Sequence, residues 1–104
     1  GVPDRPEISD EEAWAEGTGY LDRGMPFHAH EVFEMRWRGA PEPDRLAWQA
    51  LAQWGAALTH FARGNPEGAA RVADRASANL QAASHVPDCI DTGRVRDSCA
   101  RLRG

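Results

Sequence analysis

The sequence predicts an all-α protein, a compact bundle of four to five helices with helices three and four forming an antiparallel hairpin. Three observations predict it. No segment alternates apolar and polar residues with period two, and Val, Ile and Thr are scarce. Helix start and stop signals recur along the chain, clearest in "RGNPEG" at 63–68. The apolar share of 41% is modest and rich in alanine, which lets helices approach closely.

Each element has its own justification. Residues 1–8, "GVPDRPEI", read as a proline-rich, flexible lead-in, and residues 9–104 as a single helical domain. "SDEE" at 9–12 is a capping box, in which Ser9 and Glu12 satisfy each other's backbone donors. The first helix runs to about Asp22, weakened by Gly17 and Gly19 and ended by Gly24. Pro26 opens the second helix, where its missing N–H costs nothing, and the helix continues to Arg38. "GAPEPD" is a connector, and Asp44 is placed to cap the third helix, "RLAWQALAQWGAALTHFAR", whose apolar side carries Leu51, Trp54, Leu58 and Phe61.

Gly64 then closes that helix, Asn65 caps the next, and Pro66 with Glu67 fills its first turn. So short a turn makes helices three and four antiparallel neighbours. The fourth helix carries Ala69, Val72, Ala73, Ala76, Leu80 and Ala83 on one stripe, which is core spacing. "HVPDCID" breaks the chain, and a short last helix turns Val95, Cys99 and Leu102 inward.

Size and charge bound the function. A chain of 104 residues forms one domain and buries roughly two-thirds of its unfolded surface. Large apolar residues are few, so Trp14, Trp37, Trp48 and Trp54 must carry much of the core. A net charge of −4 argues against nucleic acid and anionic membranes as partners. All 12 basic residues are arginine, as a GC-rich genome produces, and the arginines at 94, 96, 101 and 103 read as a solvated helix end. No apolar run approaches the ~20 residues of a membrane span. With no secretory leader visible, the expectation is a cytoplasmic protein in which Cys89 and Cys99 are free thiols, a disulfide being the alternative.

"PFHAHEVFEMRWR", residues 26–38, concentrates the chemistry. On a helix Phe27, His30, Glu31, Glu34, Trp37 and Arg38 share one face, because each residue turns the chain by about 100°. On the third helix Gln49, Gln53 and His60 form a second polar stripe, and two such stripes are expected to meet inside a bundle. His30 and Glu34, four apart, can bind one divalent metal ion, with Glu31 as a further ligand or a base. His60 and Gln53 would complete the set from helix three, while Trp37, Gln49 and Arg38 support it. The arrangement resembles an H-E-x-x-H zinc helix with its second histidine replaced by glutamate, which moves the ligands toward oxygen and leaves the metal's identity open. His28, two residues from His30, points to nearly the opposite side.

Two other readings compete. The same residues can form a buried structural network, with Glu34 and Arg38 ion-paired and His30 bonded to a glutamine. The protein would then be a non-catalytic helical scaffold or interaction module, with a homodimer as one form open to it. Alternatively, Trp37, Trp48 and Trp54 could line a pocket for a small molecule. No reading names a reaction or a substrate.

The stretches "AHEVFE" and "ALTHFARGNPEGAARV" add a resemblance. With the signature H-x-x-x-E-x-x-W at His30, Glu34 and Trp37, residues 20–83 resemble a small helical family of bacteria and archaea catalogued as domain of unknown function 309. The resemblance implies an all-helical fold and a metal-binding role resting on that signature, with no established reaction. His28 stands where the family usually has an acidic or polar residue.

Overall fold

The capping box closes as its residues require. In the computed structural model, which describes residues 2–104, Ser9 Oγ accepts from Glu12 N at 3.1 Å and Glu12 Oε1 accepts from Ser9 N at 2.9 Å. This starts α1 (Asp10–Asp22). Pro26 opens α2 (Pro26–Gly39), a single 3-10 turn follows (Glu42–Asp44), and α3 spans Arg45–Ala62. Asn65 Oδ1 accepts from Gly68 N at 3.0 Å and caps α4 (Pro66–Ala82). The chain reverses there because Gly64 takes φ +78, a left-handed conformation costly for any side chain. Asp91 caps α5 (Thr92–Arg103). No strand occurs among the described residues, and none of their helices is long and apolar enough to cross a membrane.

The α3–α4 hairpin is the most extensive packing in the molecule, followed by the α2–α3 seam. Ala69, Ala73, Ala76 and Leu80 are buried along α4, and small side chains there bring α4 close to α3. Trp48, Trp54 and Phe33 are the largest buried side chains, with Phe33 and Trp54 stacked at 6.0 Å between ring centroids. Asp10 ties three elements together at the edge of this core. Its Oδ1 accepts from Arg36 Nε at 2.8 Å on α2 and from Trp48 Nε1 at 2.9 Å on α3. A buried indole N–H needs such a partner.

Three expectations need correction. Ile8, assigned to the lead-in, is a buried core residue, and Arg5 pairs with Glu16 across to α1. The Asp44 side chain does not cap α3; it accepts from His85 Nδ1 while proline turns the chain in ahead of the helix. Phe61, on the apolar side of α3, is 57% exposed and not part of the core. Cys89 and Cys99 are free thiols, as expected.

Candidate functional site

The α2–α3 seam rests on one glycine. A Cβ on Gly55 would come within 2.8 Å of His30 Cα and 2.9 Å of its N, so any side chain there would push the helices apart. At that spacing His30 Nδ1 reaches the Ala52 carbonyl of α3 at 2.8 Å. A carbonyl can only accept, so Nδ1 carries a proton, and in the neutral form of the ring the lone pair is on Nε2. Nε2 faces Glu34 Oε2 at 3.8 Å, too far for a hydrogen bond. The other oxygen of Glu34 is ion-paired with Arg38 at 3.0 Å, an i,i+4 pair in the favourable order.

Glu31 stands one turn before Glu34. Its Oε1 is buried and has no hydrogen-bond partner among the described residues. An unpartnered buried carboxylate oxygen is costly and calls for an explanation. Glu31, Glu34 and Arg38 line a hollow of about 170 Å³, to which Asp4 and Met35 also contribute.

His60 stands elsewhere. It shares with His30, Phe27, Thr59 and Arg63 a separate hollow of about 150 Å³. Its Nδ1 accepts from Asn65 Nδ2 at 3.2 Å, so its lone pair is engaged by the cap of α4. Gln53 turns away from α2 altogether: its Oε1 accepts from Asn79 Nδ2 on α4 at 2.8 Å. The polar stripe of α3 is thus divided, because α3 is sandwiched between α2 and α4 and each neighbour draws part of it. Gln49 is half-buried, and Trp37 packs against the core while half-buried itself. His28 lies against Tyr20 on α1, away from His30.

Of the predicted residues, His30, Glu34 and Arg38 therefore form one linked group. Glu31 lies beside it, His60 across a second hollow, and Gln53 outside. Among the described residues no group of three or more His, Cys, Asp or Glu side chains is drawn together closely enough to hold a metal ion. The cysteines stand apart as well. Burial, reinforced by nearby carboxylates, pushes the Cys89 thiol up, and burial does the same to Cys99, so neither is offered as a thiolate.

The fold and the site define a small all-α domain whose second helix presents a histidine of fixed tautomer to a glutamate one turn on. Residues 11–72 match the family described as Domain of unknown function (DUF309), and the chain belongs to it. Neither the curated proteins nor the solved structures give a match.

Proposed function

We propose that His30 and Glu34 hold a divalent cation on the α2–α3 seam, with Glu31 as the adjoining carboxylate. The observation that carries this reading is the bond from His30 Nδ1 to the Ala52 carbonyl. Metal-ligating histidines characteristically donate their other ring N–H to a carbonyl or carboxylate, which fixes the tautomer and the ring. The lone pair of Nε2 then lies on the side of Glu34, and neither atom of the 3.8 Å pair is hydrogen-bonded to the other. The unpartnered Glu31 oxygen supports the same reading, since a buried carboxylate gains a counter-charge when a cation binds nearby. A cation so held would polarise an oxygen ligand or acidify a water molecule. Glu31 is the base at hand. His60 and Gln53 are not needed, and water fills the remaining positions.

The test is thermal. A ligand that binds only the folded state stabilises it, by about 2.7 kcal/mol at a hundredfold excess over its Kd. Zinc, manganese, iron or nickel should raise the Tm of the wild type. His30→Ala should abolish the rise, while Cys89→Ser should leave it intact.

A second reading, a structural network in a scaffold or interaction module, is favoured by one contact. Arg38 already supplies Glu34 with a counter-charge at 3.0 Å. If that reading holds, melting is independent of every metal tried, and Glu34→Ala costs only about 0.2–1 kcal/mol because the pair is partly exposed.

A further inference from the structure

We propose that the groove between α3 and α5 binds a small amphipathic carboxylate: one negative charge on an apolar body. The groove is separate from the His30–Glu34 pair and does not depend on it. Its main hollow, about 340 Å³, has Leu21, Pro26, Trp54 and Leu58 among its apolar walls. That volume falls within the range of small-ligand pockets, at its lower end. A second hollow of about 300 Å³ shares Leu58, Ser98 and Arg101 with the first and continues to Leu102 and Phe61. The exposed Phe61 ring thereby becomes the far wall of a continuous apolar track.

The polar side of the groove is a single ladder on α5. Arg94, Ser98 and Arg101 are spaced four and three residues apart, so they stack along one helix face. Their charges are not equivalent. Arg94 is already paired with Asp22 Oδ1 at 2.8 Å. Arg101 has no carboxylate within ion-pairing distance among the described residues, although the chain as a whole carries net charge −4. A free guanidinium in an acidic protein, set beside apolar walls, selects one anionic group rather than several.

Ser98 supplies the second, independent sign. It is only 8% exposed and lines both hollows. Its oxygen accepts from Trp54 Nε1 at 2.8 Å, while its own hydroxyl hydrogen has no acceptor among the described residues. A buried donor without an acceptor costs free energy unless a ligand supplies one. One turn from the free guanidinium, it presents a second donor to the same carboxylate. A strongly hydrated inorganic oxyanion would meet the same two donors but leave the Leu21, Pro26 and Leu58 wall uncovered. An acid with a hydrocarbon or aryl body covers both.

Octanoate is the probe, titrated into the full chain and followed by amide NMR, with octanol and octylamine as charge controls. Saturable shifts should centre on Leu58, Ser98 and Arg101, with octanol at least tenfold weaker and octylamine weaker still. Arg101→Ala should weaken octanoate roughly tenfold or more, the worth of one charge-assisted hydrogen bond, and Arg101→Lys should recover part of the loss. Arg101 is exposed, so these variants should keep the wild-type Tm. Equal binding of octanol and octanoate, unchanged affinity in Arg101→Ala, or shifts scattered away from α5 would overturn the proposal. So would sedimentation as a dimer that Phe61→Glu splits, with no octanoate uptake, because the groove would then belong to a second copy.

Discussion

The two faces of α3 are built on different terms. Toward α4 it meets a row of alanines ending in Leu80, with one polar pair, Gln53 and Asn79, inserted between them. Toward α2 it offers Gly55 and the Ala52 carbonyl, and His30 of α2 is pressed against both. Small residues permit close approach in each case. On the α4 side that approach serves burial, which is non-directional and tolerates modest shifts. On the α2 side it serves a single directed bond, and that bond decides which nitrogen of His30 is free. A seam that fixes a tautomer is more demanding than one that only excludes water.

The comparison can be broken most forcefully at Leu80. Leu80→Ala should cost about 2–4 kcal/mol in chemical denaturation, the usual range for truncating a leucine in a packed core. Because the loss is on the α4 side, the imidazole NMR signals of His30 should still report a proton on Nδ1 in the folded fraction. A changed His30 tautomer in this variant would show that the two faces are not separable.

Gly55→Ala tests the other face. An added Cβ would sit 2.8 Å from His30 Cα, so backbone must move. We expect a cost of about 1–3 kcal/mol from overpacking, reduced by the better helix propensity of alanine. Unlike Leu80→Ala, it should also release the His30 Nδ1 proton to exchange with solvent. Stability equal to wild type with a protected Nδ1 proton would refute the account of the seam.

Gln53→Ala should cost less, about 0.5–1.5 kcal/mol, because Asn79 loses its acceptor at a part-buried position. It should leave any metal-induced rise in Tm unchanged, since Gln53 faces α4. Loss of that rise would return Gln53 to the His30 site.

The smallest effect belongs to the capping box of α1. The backbone and side-chain hydrogen bonds of Ser9 hold the Glu12 carboxyl below its ordinary range. A depressed folded-state value means that the capping contribution is present above the unfolded pKa and lost as pH falls through the folded one. Glu12→Ala should therefore flatten the acid limb of the stability curve slightly and leave neutral-pH NMR spectra of the seams unaltered. An acid limb identical to wild type would remove the capping box from the pH dependence.

Much of the architecture could be read from local signals. Ser9 with Glu12, Pro26, and Gly64 with Asn65 and Pro66 act over a few residues, and each formed the cap or turn that its chemistry dictates. Asp44 did not follow its local chemistry, because the 3-10 turn holds its backbone in the right-handed helical region while its carboxylate accepts from the distant His85. The candidate site was legible only in part. His30 and Glu34, and Glu34 and Arg38, are neighbours by helical spacing alone, so a single helix fixes them. Gly55 was visible as a glycine inside a helix, yet nothing local says what presses against it.

The sequence by itself determined the helices, their order, the α3–α4 hairpin and the His30–Glu34–Arg38 face, because these depend on residues within a turn or two of one another. Tertiary structure alone decided which neighbour each polar residue of α3 would meet. Gln53 went to α4, His60 to the α4 cap and the Ala52 carbonyl to His30, since a helix packed between two others presents its stripe to both. It also joined Trp54, Leu58 and Phe61 to the α5 arginines in one groove, a pairing of residues some forty positions apart that no periodicity encodes.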